Sequence, residues 1–246
     1  MNYKYSILTC NYGNYEVLKD PLVVRDDVEY ICVTDDPNLQ SNIWTIVYKP
    51  GVTFFYAKHH PFEFVHTDTC LWIDASYLIT GDLTDQFVDP FIHSDKELAI
   101  SLHDTRHNVY EESIYWIFQR GASAANISAF LREMVIKGFN TDSLFQTSVI
   151  LSKNTEMTKA IYDTVNEMDA LCSIEGFYRD DQSLFTYAIC TTAYRDSRIL
   201  LLDFSATSNN SCLKWFTHGA DGKQIIAYQK STRCFDEDQP FLYRIK

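Results

Sequence analysis

Apolar residues along this chain gather in short runs separated by longer stretches with helical spacing. The runs 5–9, 28–33, 44–48, 98–102, 145–151 and 199–204 read as strands. The run 70–73 is apolar throughout, which suits a strand buried on both faces, and it ends abruptly at Asp74. Ile79 and Leu83 resume the apolar pattern after Thr80-Gly81-Asp82. Helical spacing marks 54–65, where Pro61 predicts a kink or a restart, and then 109–118 and 128–136. Around the last of these, Ile127, Phe130, Leu131, Met134 and Val135 recur three and four apart. Asn154 is placed to cap a further helix whose stripe is Met157, Ala160, Ile161, Val165 and Met168. Arg179-Asp180-Asp181-Gln182 opens another helix over 183–189, and acids at a helix start also suit its dipole. Strands alternating with helices predict a mixed, mostly parallel sheet flanked by helices in an α/β fold. No repeat, low-complexity tract or linker divides residues 1–246, so a single domain is expected.

The polar chemistry collects where the expected strands end. Asn11-Tyr12-Gly13-Asn14-Tyr15 follows the first strand, Thr34-Asp35-Asp36-Pro37 the second, and Asp74-Ala75-Ser76 the apolar run 70–73. In open α/β sheets ligands sit outside the carboxyl ends of strands. Asp74 there can hold a divalent cation, hydrogen-bond a sugar or ribose, or simply cap its strand. Asp36-Pro37 suits a turn by itself, so one acid of the Asp35-Asp36 pair can be structural. Neither GxGxxG nor GxxxxGK[ST] occurs, which weakens a Rossmann dehydrogenase or P-loop reading. Lys58, His59, His60 and His66 lie close in sequence, but adjacent His59 and His60 face different sides of a helix. That disfavours zinc and leaves Lys58 better suited to phosphate.

Composition narrows the partners. Tyrosine and phenylalanine number 16 each, which suits a groove that stacks rings or sugars. A formal net charge of −12 disfavours nucleic acid, which needs a basic footprint, but leaves a nucleotide ligand open. The seven cysteines (Cys10, Cys32, Cys70, Cys172, Cys190, Cys212 and Cys234) are scattered, odd in number and never CxxC. Such usage fits a reducing compartment, and the opening residues resemble no signal peptide, so the cytoplasm is expected. No apolar run reaches the roughly 20 residues of a membrane span. The sequons at Asn126 and Asn209 then read as chance.

These pieces together resemble a glycosyltransferase of the GT-A fold, which is Rossmann-like. More narrowly, the chain is similar to the glycosyltransferase-like domain family that includes plant proteins linked to wall and mucilage polysaccharides. The matching residues are Ile7-Leu8-Thr9-Cys10-Asn11-Tyr12-Gly13, Tyr30-Ile31-Cys32-Val33-Thr34-Asp35, His66 and Trp72-Ile73-Asp74-Ala75. His103, Arg106-His107-Asn108-Val109-Tyr110-Glu111-Glu112, Gln146-Thr147-Ser148 and Asp180-Asp181-Gln182-Ser183 match as well. The match covers about 3–189, and its specificity lies in the set rather than in any one motif.

The resemblance implies transfer of a sugar from a UDP- or GDP-type nucleotide-sugar donor to a glycan or other hydroxyl acceptor, in polysaccharide or glycoconjugate synthesis. Thr9, Asn11, Tyr12 and Asp35 would line the nucleotide pocket, and His103 falls among the matched positions. A metal such as manganese or magnesium would fall to Asp74, Ser76 and the late His218. Ser76 stands where the second acid of Asp-x-Asp is usual, and a hydroxyl is a weak ligand for a hard cation. Without metal, Lys58, Arg106 and His218 are the phosphate-side candidates, and Asp74 would orient the donor sugar. Asp181 or Asp180 is the candidate general base, with Glu111 and Glu112 as second choices. A non-catalytic module that binds a nucleotide or glycan is the first rival. A hydrolase ranks lower, since GxSxG and HExxH are absent.

Overall fold

The computed structural model describes residues 3–139, 143–176, 180–193, 196–202 and 212–215. Strand β1 (Tyr5–Asn11), β2 (Val28–Thr34) and β3 (Thr45–Tyr48) come first, followed by the short helix α1 (Phe55–His59). Strands β4 (Thr69–Ile73) and β5 (Tyr77–Ile79) precede a π-helical turn (Thr84–Val88) that runs into α2 (Asp89–Ile92). Then come β6 (Leu98–Leu102), α3 (Val109–Arg120), α4 (Ala124–Ile136) and β7 (Phe145–Lys153). Helices α5 (Glu156–Glu175) and α6 (Asp181–Thr192) and strands β8 (Ile199–Leu202) and β9 (Leu213–Trp215) complete the described elements. The main sheet has seven strands in the order β3-β2-β1-β4-β7-β6-β8, the mixed α/β arrangement expected from the pattern. Four of its pairings run parallel, β1–β2, β1–β4, β2–β3 and β6–β8, whereas β4–β7 is antiparallel.

The described residues fall into two compact units. The first holds residues up to Asp95 together with Ser148–Lys153 and β9. Every residue of β2 and of β4 is buried, because both strands have neighbours on either side and are covered on both faces. Edge strand β3 is half-exposed instead. Ile7, Leu8, Ile31, Val33, Leu71 and Trp72 make up the heart of this core. A second, two-stranded sheet pairs β5 antiparallel with β9, Tyr77 opposite Trp215.

Pro61 does divide the expected helix 54–65. Helix α1 ends at His59, His60 takes a non-helical backbone (φ −128°, ψ 51°), and a 3-10 turn restarts at Pro61. Neither half is long enough to be a stable helix alone, so packing of Phe55, Ala57 and Lys58 holds it in place.

The second unit contains Lys96–Thr147 and Asn154–Ser205. Helix α5 buries Met157, Ile161, Val165, Met168 and Cys172, largely the stripe read from its spacing. Its cap is Thr155, however, not Asn154. Thr155 takes the extended backbone of an N-cap, and its hydroxyl and that of Thr158 each accept the other's backbone N–H. Helix α4 begins earlier than expected, capped by Ser123, and buries Ile127, Phe130 and Met134 while Val135 points outward at 55% exposure. Helix α3 starts at the cap Asn108 and stops at Gly121, whose φ of 68° is the left-handed turn that glycine adopts freely.

Candidate active site

In the first unit, three neighbouring parallel strands end side by side. Register places Asn11 beside Thr34 at the ends of β1 and β2, while Leu8 of β1 pairs with Trp72, just ahead of Asp74. The buried Asn11 side chain closes the loop beyond β1. Its amide nitrogen donates to the Glu16 carbonyl (2.7 Å) and its oxygen accepts the Glu16 N–H (3.1 Å). Gly13 and Asn14 both take left-handed backbone there (φ 62° and 51°), which these two residue types tolerate best. The turn directs the Gly13 N–H onto Asp35 Oδ1 at 2.8 Å. Thr34 ties the same two strand ends by donating to the Asn11 carbonyl (2.6 Å). Tyr12 donates its hydroxyl to the Lys49 carbonyl (3.1 Å), and burial pushes its phenol up to about 12, so it stays neutral. Asp36 accepts the Asn38 N–H (2.8 Å) in a local turn, so it is the structural acid of the pair.

Asp74 is fixed at both backbone ends of its turn. Its N–H donates to the Ser148 carbonyl (2.9 Å) and its carbonyl accepts from Tyr77 (3.0 Å). Its carboxylate is engaged as well. Oδ1 accepts from the Trp72 indole (2.8 Å) and lies 2.9 Å from the ammonium of Lys58. Lys58 is buried, 5% exposed, and its ammonium sits 5.2 Å from the centre of the Trp72 ring. A buried ammonium needs a carboxylate and supporting contacts to replace its lost water, and Asp74 with Trp72 supplies them. Ser76 is also buried. A small pocket of about 10 Å³, room for roughly one water, is lined by Thr9, Lys19, Trp44, Asp74, Ala75 and Tyr77 among others. Thr9 turns its buried hydroxyl toward no hydrogen-bond partner among the described residues.

Sequence reasoning missed Lys19. Its ammonium is wholly buried and donates to the carbonyls of Ala75 (2.7 Å) and Val17 (3.1 Å), with the Glu16 carboxylate 3.9 Å away. A lysine in a polar loop carries no mark of burial in the sequence.

The second unit brings together a different set. His103 follows β6 and is buried, and its Nδ1 accepts the N–H groups of both Thr105 and Arg106 (3.1 Å each). Burial first, and then the Arg106 charge, pulls its pKa down to about 4. With Nδ1 an acceptor on a neutral ring, the 3.3 Å approach of Asp104 is not an ion pair near neutral pH. Arg106 is paired with the carboxylate of Glu112 and lies 4.5 Å over the Tyr115 ring. Glu112 is 1% exposed and also accepts from the Trp116 indole (2.8 Å). Burial raises its pKa, with Arg106 opposing that rise. Glu111, by contrast, accepts the His107 N–H (2.8 Å) and belongs to the cap of α3.

Asp180 is the N-cap of α6. Its Oδ1 accepts the Ser183 N–H (3.0 Å), while Oδ2 is buried without a hydrogen-bond partner among the described residues. Burial, and then the nearby Glu112 charge, pushes its pKa up to about 7. Asp181 is half-buried and accepts from the Thr147 hydroxyl (2.6 Å) and the Gln182 N–H (3.1 Å). His218 lies outside the described residues.

The metal candidates meet a poor donor set. Asp74 already carries the Lys58 ammonium, and Ser76 offers a hydroxyl where a hard cation prefers a carboxylate. Among the described residues no group of three His, Cys, Asp or Glu could hold a metal ion. Asp74 and Ser76 therefore do not fit a divalent cation by themselves. Nor do the histidines collect: His60 approaches the Tyr56 carbonyl (3.0 Å), and His66 pairs with the buried Glu29 (2.5 Å).

Fold and strand-end crevice together define an α/β protein with ligand-type polar groups at the carboxyl ends of parallel strands. Several solved structures are similar to it in fold. The glycosyltransferase GlyE of Streptococcus pneumoniae TIGR4 shares 17% identity at a TM-score of 0.42, over 82% of this chain and 46% of GlyE. The galactosyltransferase LgtC, solved with donor and acceptor sugar analogues, shares 12% identity at a TM-score of 0.46, over 94% of this chain and 98% of LgtC. Mouse xyloside xylosyltransferase 1 shares 10% identity at a TM-score of 0.43, over 81% and 85% of the two chains. The chain thus spans less than half the length of GlyE. No protein-family model and no curated protein matches the sequence, so the narrower resemblance to plant wall and mucilage proteins gains no support there.

Proposed function

We propose that this chain is a glycosyltransferase moving a sugar from a UDP- or GDP-type nucleotide-sugar donor to a hydroxyl acceptor in polysaccharide or glycoconjugate synthesis. One observation carries the reading. Three adjacent parallel strands end in Asn11-Tyr12, Thr34-Asp35 and Ile73-Asp74, and a buried lysine stands on the last of these acids. Tyr12 and Asp35 suit the base and ribose of a nucleotide. Lys58 brings a fixed positive charge to the place where the leaving diphosphate must be stabilised. Asp74, held by Lys58 and Trp72, suits a hydroxyl of the donor sugar. Lys58 would supply the positive charge at the leaving diphosphate without a divalent cation.

For proton transfer the proposal rests on Asp181. Asp180 is buried as a cap and holds its proton up to about pH 7, whereas Asp181 keeps partial exposure and a hydroxyl partner in Thr147. Glu112 is committed to Arg106. Arg106 and Lys58 are each paired with a carboxylate, Glu112 and Asp74, and Lys58 is preferred for its place beside the end of β4. We place the protein in the cytoplasm on its scattered cysteines, odd in number and never CxxC, and burial pushes the Cys32 thiol up to about 12, leaving it inert. Among the described residues no helix is long and apolar enough to cross a membrane.

The test is a thermal-shift screen of nucleotide sugars against the matching free nucleotides, with and without Mn²⁺. A donor at 100 Kd stabilises by about 2.7 kcal/mol, and the expected result is such a shift without added metal. Binding without turnover favours the second reading, a nucleotide- or glycan-binding module, for which the occupied state of Asp74 speaks. No shift with any nucleotide or nucleotide sugar overturns the transferase reading and leaves only a glycan-binding module.

A further inference from the structure

We propose that Lys19 is a positioning residue that holds the Asp74 turn in register with the loop beyond β1, and so sets the affinity for the sugar diphosphate. This rests on reading the strand-end crevice as a nucleotide-sugar site. Lys19 lies in that loop with its side chain wholly buried, and its ammonium donates a 2.7 Å hydrogen bond to the carbonyl of Ala75, the residue next to Asp74. Burying an ammonium is costly unless carbonyls and a carboxylate replace its water. Here Ala75, Val17 and Glu16 fill that role.

The contact joins two strand ends. Asn11 at the end of β1 clasps the Glu16 peptide with two hydrogen bonds, and the Trp44 indole donates to the Lys19 carbonyl (3.0 Å). The loop is therefore rigidly based on β1, and its lysine reaches across to the peptide after β4. Lys58 fixes the Asp74 carboxylate, and Lys19 fixes the peptide immediately beyond it. Two fixed points set the direction of a side chain where one leaves it free to swing. Thr9, Lys19 and Asp74 also line the same small pocket, so a shift of the turn changes its shape.

Lys19→Met alone would strand the buried Glu16 charge, so the test pairs it with Glu16→Gln. Wild type and double variant are titrated with a nucleotide sugar and with the matching nucleoside monophosphate, which lacks the sugar diphosphate. The expected result is a Kd for the nucleotide sugar about tenfold weaker, the scale of one charge-assisted hydrogen bond, with the monophosphate Kd within about twofold of wild type. A merely structural role would move both ligands alike or neither, and either outcome overturns the proposal. If the double variant does not fold, ¹⁵N-lysine spectra of the wild type decide. The Lys19 ammonium signal should shift with the nucleotide sugar and not with the monophosphate, and an unmoved signal overturns the proposal. If the wild type itself binds no nucleotide sugar, the functional reading fails along with this inference, which separates the two failures.

Discussion

Asp74 and Asp180 are both acids that open a polar segment, yet they end up in opposite electrostatic states. Asp74 stands at the end of a buried strand, 30% exposed at its side chain, and answers a buried lysine. Asp180 stands at the start of α6, 4% exposed, with one oxygen lacking a hydrogen-bond partner among the described residues and a second buried carboxyl, Glu112, nearby. The first unit therefore holds fixed charge, and the second holds protons near neutral pH.

The largest expected effect sharpens the proton side. Asp181→Asn removes the proposed base and should lower turnover by about 10²- to 10⁴-fold, the usual worth of general base catalysis. Melting temperature should hardly move, because Asp180 and not Asp181 caps the helix. Unchanged turnover in that variant would assign the base elsewhere.

On the charge side, Lys58→Met leaves the Asp74 carboxylate beside an apolar chain. Breaking a buried pair costs about 3–5 kcal/mol, and the partial exposure of Asp74 places this case at or below the lower end. Asp74→Asn, nearly isosteric, should also lose stability rather than leave the fold untouched, since it strips Lys58 of its counter-charge. The double variant should recover much of the loss in a denaturation cycle. Strictly additive losses would show that the two groups do not interact.

The pH dependence of stability breaks the comparison in another way. Asp180 titrates near 7 when folded against about 3.9 unfolded, so its contribution is complete below pH 4 and is lost as pH rises toward 7. His103 runs the other way. Its folded value near 4 lies below the ordinary 6.5, so its contribution is complete above 6.5 and is lost as pH falls toward 4. Between pH 4 and 6.5 the two slopes, each at most about 1.4 kcal/mol per pH unit, oppose one another. Asp180→Asn should expose a stability that rises with pH across that window, and His103→Gln one that falls. Melting temperatures of both variants at pH 4.5 and 6.5 check this, and parallel profiles would refute the opposition.

A smaller effect concerns α5. Thr155→Ala removes a reciprocal cap and should cost about 1 kcal/mol, whereas Asn154→Ala should cost little. Chemical denaturation distinguishes the two, and equal losses would contradict the capping assignment.

That pair of neighbours shows where the sequence stops being readable. Asn and Thr are both good caps, and only the extended backbone at 155 selects between them. Runs such as 28–33 and 70–73 were legible because burial on both faces demands apolar residues without alternation, and the polar strand ends followed directly. Strand β5 was not legible, since three residues bear no pattern and their partner β9 lies far along the chain. The candidate acids were visible as residue types, but their states were not. Glu111 and Glu112 are adjacent in sequence, yet one lies half-exposed in the first turn of α3 and accepts the His107 N–H, and the other is buried against Arg106 and Trp116. Lys58 was legible as a phosphate candidate and Lys19 was not legible at all, and only the tertiary fold buries them against Asp74 and carbonyls.

The most direct measurement is turnover of a panel of radiolabelled UDP- and GDP-sugars by the purified chain, with sugar acceptors present, in EDTA and in Mn²⁺. The account predicts release of nucleoside diphosphate with label transferred to an acceptor, persisting in EDTA because Lys58 provides the positive charge. Activity that vanishes in EDTA and returns with Mn²⁺ would contradict the role given to Lys58, and no release from any donor under either condition would contradict the assignment of glycosyl transfer itself.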